Sequence, residues 1–249
     1  MKILNLLPAI DAGFWSEEMT AYTSKFLMKD TQVDSWFLDA GPSSIEGAYD
    51  ETLAAAAVVL KCVEAEKAGY DAIFINCFGD PGVHAAREAV KIPVFGGFEP
   101  VVHYALGTSE KISIITVLPE VIPLLHAGIA KAGLRDRFGK VRYVSMPVLH
   151  LGDLQELIDA LIEESKKAIE EEGAGTIVLG CTGMVGVKED VEKALQDMGY
   201  SVPVMEAAQS AMVMLETFVR MGITQSRVTF RPPREKLRKW WSGNDIVEI

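Results

Sequence analysis

Two of the three cysteines occupy equivalent places in two similar stretches of the chain. Cys77 ends the stretch EKAGYDAIFINC and Cys181 ends EEEGAGTIVLGC, and in both the cysteine follows a glycine by eight positions. Each stretch runs from an acidic helix end through that glycine into a short apolar strand, and small residues follow the cysteine. A single cysteine is often an inert core residue, as we expect for Cys62 within an apolar helix. The repetition of one context at two sites favours a function for Cys77 and Cys181.

Thiols in this position suit proton transfer at carbon. A cysteine between a strand and a helix lies near unpaired backbone N–H groups and the positive end of a helix dipole, and both favour the thiolate. One thiolate could remove a proton from carbon while the other thiol, on the opposite face, returns one, which inverts a stereocentre. A thiol of ordinary pKa, ~8.5, is a weak base for a C–H bond, so the carbanion needs stabilisation as an enolate. The predicted donors and substrate contacts lie directly after the two cysteines: Phe78, Gly79, Asp80, Thr182, Gly183 and Met184.

Four polar residues could have further roles. Asp80 could orient the substrate or tune the thiol of Cys77, and it is equally suited to a plain turn before Pro81-Gly82. Thr182 could donate its hydroxyl to a substrate oxygen. Ser43 and Ser44 could reach the site through their loop or cap the helix that follows.

Other cysteine chemistry finds less support in the sequence. A redox pair usually has the close C-x-x-C spacing, which is absent. The four histidines show no metal-ligand spacing with each other or with the cysteines, so we expect no metal. A Ser-His-Asp arrangement lacks its G-x-S-x-G turn.

The elements that must position the cysteines follow an α/β pattern. Apolar runs alternate with helical segments, which is typical of parallel sheets. The predicted strands are Lys2–Leu7, Val33–Leu38, Ala72–Asn76, Val94–Gly96, Lys111–Val117, Val141–Met146, Thr176–Gly180 and Val202–Met205. The predicted helices include Ile45–Ala68, Val83–Ala89, Leu151–Glu172 and Ala207–Met221.

The fold prediction is therefore α/β with two pseudo-symmetric parallel-sheet lobes and a site in the cleft between them, where ligands of open α/β sheets usually bind. Residues 1–100 with about 207–225 form the first predicted lobe and residues 101–206 the second. Residues 226–249 form a basic, aromatic tail, which we expect to pack on the acidic surface or on a neighbouring subunit.

Composition narrows the partners. The 249 residues are 49% hydrophobic and carry a net charge of −11, which opposes binding to nucleic acid or to anionic membranes. No stretch approaches the ~20 apolar residues that span a bilayer, and we see no signal peptide. Three cysteines cannot form a disulfide framework in a chain of this length, so we expect a cytoplasmic protein with reduced thiols and a small-molecule substrate.

Three stretches resemble a known family. CFGDPG at 77–82 and GCTGM at 180–184 resemble the cysteine motifs of hydantoin racemases, in the aspartate/glutamate racemase superfamily. GPSSIEGAYDE at 41–51 is similar to the segment after their second strand. The resemblance implies a cofactor-independent racemase, commonly a homo-oligomer, with Cys77 and Cys181 as its acid/base pair. Its implied substrates are 5-monosubstituted hydantoins or the related compound allantoin.

One loop departs from the family pattern. Hydantoin racemases usually carry Asn-Pro-Asn-Thr/Ser after the first strand, and this segment helps to hold the substrate. The corresponding stretch runs from Leu7 to Phe14, from which Pro8 and Asp11 are the predicted substrate-binding residues. With Phe14 and Trp15 added, this loop would suit an apolar or aromatic substituent.

Related activities stay open at this point. Amino-acid racemases of the superfamily have Cys-Asn-Thr at the first motif and a histidine or glutamate after the second Cys-Thr, and both are missing. Maleate cis-trans isomerases keep two cysteines and use one as a nucleophile. Arylmalonate decarboxylases need only the second cysteine, so the presence of Cys77 counts against them. A non-catalytic small-molecule binder is the remaining class.

Overall fold

The structure is a computed structural model that describes the backbone of residues 1–11, 16–242 and 245–248, and the side chains of residues 1–11 and 20–239. Within these residues, two four-stranded parallel sheets are packed with helices. The first sheet contains β1 (Lys2–Ile10), β2 (Gln32–Leu38), β3 (Ala72–Ile75) and β4 (Val94–Phe95). The second contains β5 (Ile112–Thr116), β6 (Phe138–Tyr143), β7 (Thr176–Leu179) and β8 (Val204–Glu206). The predicted fold class is confirmed.

The two sheets have the same topology. Their strand orders are β2-β1-β3-β4 and β6-β5-β7-β8, with every neighbouring pair parallel. In each sheet the second strand of the chain is added on one side of the first, and the third and fourth strands are added on the other side. The switch points therefore lie between β1 and β3 and between β5 and β7. Ligands of open α/β sheets bind at the carboxyl ends of strands at such a switch point.

The helices alternate with the strands. They are α1 (Ser16–Ser24), α2 (Ala48–Lys67), α3 (Val83–Ala89), α4 (Phe98–Ala105), α5 (Ile122–Lys131), α6 (Leu154–Glu172), α7 (Lys188–Asp197) and α8 (Ala207–Met221). The four predicted helices correspond to α2, α3, α6 and α8, and α2 begins three residues later than predicted. Helix α6 begins three residues later than predicted, because Asp153 caps it by accepting a hydrogen bond of 3.1 Å from the Glu156 N–H.

The packing of β3 explains why its sequence so clearly predicted a buried strand. Ile73 and Ile75 enter the core on one side of the sheet, while Ala72 and Phe74 pack on the other side with residues of α8. Both faces are covered, so every position of the strand is apolar, as parallel sheets require. The strand ends where the polar Asn76 and then Cys77 begin.

Helix α4 connects the two sheets. Phe98 and Val102 belong to the same core as the second sheet, although α4 also packs on α8. Helix α8 in turn packs on the first sheet through Ala211 and Leu215. Since α4 packs both on the second sheet and on α8, which covers the first sheet, the lobe boundaries predicted near residues 100 and 206 stay a prediction.

The segment after α8, which leads into the tail, packs on its own chain. Thr224 and Gln225 donate hydrogen bonds of 2.9 and 2.7 Å to the carbonyls of Lys91 and Ile92. The Phe230 ring then meets His84 edge-on at 4.9 Å. Further along, β9 (Lys239–Ser242) and β10 (Asp245–Glu248) form a separate antiparallel pair. None of the helices in the described part of the chain has the length and apolar character to cross a membrane.

Candidate active site

Cys77 and Cys181 lie just beyond the carboxyl ends of β3 and β7, at the two switch points. Both side chains line one cavity of about 130 Å³ between the sheets. This is smaller than the ~300–1,000 Å³ of pockets for drug-sized ligands, so the cavity suits a small substrate. The two thiols also interact electrostatically, because a negative charge on Cys181 raises the pKa of Cys77.

The loops after the two cysteines hold their backbone groups in the same pattern. The N–H three residues after each cysteine donates to that cysteine's carbonyl, Asp80 at 3.4 Å and Met184 at 3.1 Å. The N–H two residues after each cysteine is directed to its thiol: Gly183 donates to Cys181 Sγ at 3.3 Å. In the first loop, the Gly79 N–H likewise lowers the pKa of its cysteine.

The N–H one residue after each cysteine is left over. Across the described parts of the chain, neither the Phe78 N–H nor the Thr182 N–H has a hydrogen-bond partner. Both residues line the cavity. Of the six backbone donors expected from the sequence, the turn geometry therefore leaves these two available to a ligand.

A close approach of three chain segments brings the loops together. The Thr182 hydroxyl donates a hydrogen bond of 3.1 Å to the Asn76 carbonyl. The Gly97 N–H donates one of 3.0 Å to the Cys77 carbonyl. A Cβ atom on Gly97 would lie 3.1 Å from the Cys77 oxygen and from the Thr182 methyl group, so only glycine leaves the contact undisturbed.

The cavity wall carries no charged side chain among the residues that the structure describes. Its polar members are the two thiols, hydroxyls and one amide, and its other members are apolar or glycine. The lining residues other than 77–79 and 181–183 are Leu7, Pro8, Ala9, Ile10, Phe37, Ser43, Ser44, Ile45, Asn76, Thr116, Val117, Val121, Leu124, Val148, Leu149 and Gly180.

Most of the predicted site residues lie together at this cavity. The lining includes Cys77, Phe78, Gly79, Cys181, Thr182, Gly183 and Pro8. The structure does not bring the other three predicted residues to the wall.

Each of those three has a local physical reason for its position. The Asp80 carboxylate turns away to accept the Phe98 N–H at 3.0 Å. Met184 is 1% exposed and packs in the core of the second sheet. Asp11 is exposed just after β1. Phe14 and Trp15 lie outside the described residues, and the roles assigned to all site residues stay predictions.

Burial changes the electrostatics expected for the thiols. Desolvation raises the pKa of Cys181 to about 11 and raises that of Cys77 still further. The backbone N–H groups of Gly183 and Met184 lower the pKa of Cys181, but they offset only part of this effect. The expectation that the surroundings favour the thiolate is therefore wrong, because α3 and α7 begin six and seven residues after the cysteines and burial dominates.

Sequence reasoning missed two carboxylates near the thiols. Glu46 raises the pKa of Cys181, and Glu51 raises the pKa of Cys77. Glu46 also accepts a hydrogen bond of 2.7 Å from the Val148 N–H, which joins the loop after β2 to the segment after β6. Both residues lie in the GPSSIEGAYDE segment, so its resemblance was the available signal. No cluster of three potential metal ligands occurs among the described residues.

Three relatives that are 33–37% identical over most of this chain are hydantoin racemases, so the chain is an isomerase of the racemase class. The chain belongs to the Asp/Glu/Hydantoin racemase family, whose model matches residues 16–215.

Individual relatives agree with this assignment. A hydantoin racemase from Pseudomonas sp. (strain NS671) is 36% identical over 209 residues, which cover 83% of this chain and 82% of that protein. A hydantoin racemase from Paenarthrobacter aurescens is 33% identical over 95% of this chain and 99% of its own length. The structure of an allantoin racemase from Klebsiella pneumoniae superposes with a TM-score of 0.87 at 30% identity and 95% coverage of both chains.

Proposed function

We propose that this racemase inverts a carbon stereocentre by proton transfer between Cys77 and Cys181, and that its substrate is a 5-monosubstituted hydantoin or allantoin. The observation that carries the proposal is that both thiols line one cavity at equivalent strand ends of the two sheets. The substrate class follows the relatives, which are named hydantoin racemase and allantoin racemase.

The proton balance of the reaction needs only the two thiols. One sulfur, as thiolate, takes the proton from C5, and the electrons of the broken C–H bond move into an enolate on the neighbouring carbonyl. The opposite S–H then delivers its proton to the other face of C5, so that the thiolate ends on the other sulfur. The free N–H groups of Phe78 and Thr182 would donate to the carbonyl oxygens, where negative charge develops.

The uncharged cavity wall supports a neutral ring as the substrate. A free amino acid or a dicarboxylate carries one or two carboxylates, and burial without a cationic partner would cost several kcal/mol. Hydantoins and allantoin have carbonyls and N–H groups in place of carboxylates. Serine, threonine and asparagine side chains on the wall match such groups. This favours the hydantoin class over aspartate, glutamate or maleate.

The oligomeric state and the location belong to the same proposal. An isolated two-stranded ribbon is at best marginally stable in water, so the β9–β10 pair supports packing of the tail on a neighbouring subunit. We therefore propose a homo-oligomer. All three cysteines are free, which supports a reducing compartment such as the cytoplasm.

The test follows loss of optical rotation for enantiomers of hydantoins with different 5-substituents and of allantoin, in deuterated water and with an enzyme-free blank. Racemisation with deuterium at C5 is the expected result. Turnover of free aspartate or glutamate alone would transfer the assignment to amino-acid racemases. A succinyl adduct on Cys77 formed from maleate would favour the cis-trans isomerase. Ligand-stabilised melting without any turnover would indicate a binding protein and contradict the proposal.

A further inference from the structure

We propose that Asp80 makes the two thiols of the site unequal, so that Cys181 enters the catalytic cycle as the thiolate and Cys77 as the protonated acid. Asp80 is thus a positioning residue, because it acts through Cys77 and does not line the cavity. The proposal deepens the proposed function and rests on the two-thiol pair described above.

The Asp80 carboxylate is fixed directly behind the Cys77 turn. Its Oδ1 atom accepts the Phe98 N–H at 3.0 Å, at the start of α4. Next to it, the Gly97 N–H donates a hydrogen bond of 3.0 Å to the Cys77 carbonyl. The N-terminus of one helix therefore binds both the cysteine backbone and the carboxylate, and it holds their separation constant.

The backbone around Asp80 is shaped for this contact. Asp80 has a φ of 56°, in the left-handed region that residues other than glycine rarely adopt. A Cβ atom on Gly96 would lie only 2.1 Å from Asp80 Oδ1, so glycine makes the room that the carboxylate occupies. An unusual backbone conformation and a missing side chain both serve one carboxylate at this position.

The second loop has no such group. Met184 stands three residues after Cys181, as Asp80 stands three residues after Cys77. Its side chain is buried in the apolar core of the second sheet. The two loops share their hydrogen-bond pattern but differ in this one electrostatic feature.

More negative groups act on Cys77 than on Cys181. Asp80 and Glu51, together with Cys181, raise the pKa of Cys77, whereas Glu46 is the carboxylate that raises that of Cys181. Around Asp80 itself, Glu99 raises its pKa and Arg87 lowers it. Burial is the largest influence on Asp80 and raises its pKa to about 7, so the carboxylate is ionised when thiolates form at alkaline pH.

The experiment measures the alkylation of each thiol in the absence of substrate. Iodoacetamide reacts with the thiolate, and peptide mass spectrometry gives separate rates for Cys77 and Cys181. In the unchanged protein we expect Cys181 to react faster. In Asp80→Asn, which keeps an oxygen for the Phe98 N–H but removes the charge, we expect Cys77 to react about tenfold faster at pH 9, as for a pKa lowered by about one unit. The rate of Cys181 should stay within a factor of two.

Asp39→Asn is the matched control, because Asp39 is an exposed acid directly after β2 and its replacement should leave both rates unchanged. Equal acceleration of both thiols in Asp80→Asn, or no change at Cys77, overturns the proposal. The unchanged protein gives a second test that does not depend on folding of a variant. The logarithm of the Cys77 rate should rise by less than one per pH unit between pH 6 and 8, while Asp80 ionises, and that of Cys181 by one.

A Cys77 rate that rises by a full unit per pH unit throughout this range also overturns the proposal. Neither measurement uses racemisation, so the thiols can prove unequal in a protein that fails on hydantoins. In the opposite case, racemisation with thiols that ignore Asp80 refutes this inference and leaves the proposed function intact.

Discussion

The hydroxyl of Thr182 donates a hydrogen bond of 3.1 Å to the backbone carbonyl of Asn76. Thr182 follows the cysteine of the second sheet, and Asn76 precedes the cysteine of the first. One bond therefore joins the two loops that carry the thiols. Because a proton must move between a fixed carbon and two opposing sulfurs, a small change in loop separation is expected to affect turnover.

Replacement of this threonine tests that link. Thr182→Val keeps the shape of the side chain but leaves the Asn76 carbonyl without its donor, which costs about 1 kcal/mol. We expect kcat/KM for racemisation to fall roughly five- to tenfold with a small change in melting temperature. Thr217→Val is the control, since Thr217 is exposed and its hydroxyl donates to a carbonyl within α8. Equal losses in both variants would refute a role of the link.

Removal of either thiol should strongly slow racemisation and leave proton exchange at C5 for only one enantiomer. In Cys77→Ser or Cys181→Ser, one face of the substrate loses its acid/base group, and we expect racemisation to fall by roughly 10²–10⁴-fold. The remaining thiol can still exchange the C5 proton of one enantiomer without inversion. NMR of each enantiomer in deuterated water should show complementary exchange in the two variants. Racemisation that survives both substitutions would exclude the two-thiol mechanism.

The raised thiol pKa values predict the pH dependence of the reaction. Burial raises the pKa of Cys181 to about 11, so the thiolate fraction at neutral pH is lower than for an ordinary thiol and grows with pH. We expect kcat/KM to rise close to tenfold per unit between pH 6 and 8, because this parameter reports groups of the free enzyme. A profile that is flat over this range would show that a thiolate is already present.

The sequence predicted the parts of the fold and site that have local signals. The strand before Cys77 is apolar at every position because both of its faces are covered, and the repeated glycine-to-cysteine spacing marked the second thiol. The sequence could not predict which N–H groups stay free. The conformation of each turn determines this: in the first loop it directs the Gly79 N–H to the thiol and leaves the Phe78 N–H without a partner among the described residues. The direction of the thiol pKa shifts depends on burial between the two sheets, which has no local signal. The orientation of the Asp80 side chain depends on the start of α4, 18 residues away in the chain.

A glycine next to the site offers a test of the packing around Asp80. In Gly96→Ala the new Cβ would lie 2.1 Å from Asp80 Oδ1, and the carboxylate is held by α4 and cannot easily move. We expect a loss of about 1–3 kcal/mol in the free energy of unfolding, measured by urea denaturation. Gly47→Ala is the matched control, since a Cβ there meets no atom within 4 Å. A stable Gly96→Ala protein would show that the carboxylate is loosely held.

The same carboxylate should make stability depend on pH in a defined direction. The pKa of Asp80 is raised from 3.8 to about 7 by burial, so the folded protein holds this proton more tightly than the unfolded chain does. The stabilising contribution of the protonated form is complete below about pH 4 and is lost as the pH rises through 7. Asp80→Asn cannot ionise, and we expect it to exceed the unchanged protein in stability by about 1–3 kcal/mol at pH 8. This corresponds to several degrees in melting temperature for a chain of this size.

The difference should shrink towards pH 4, where both proteins are neutral at this position. Asp39→Asn, which removes an exposed charge, should show no such trend. A stability gain in Asp80→Asn that is the same at pH 4 and pH 8 would mean that the aspartate stays charged in the folded protein, and it would remove the physical basis for its action on Cys77.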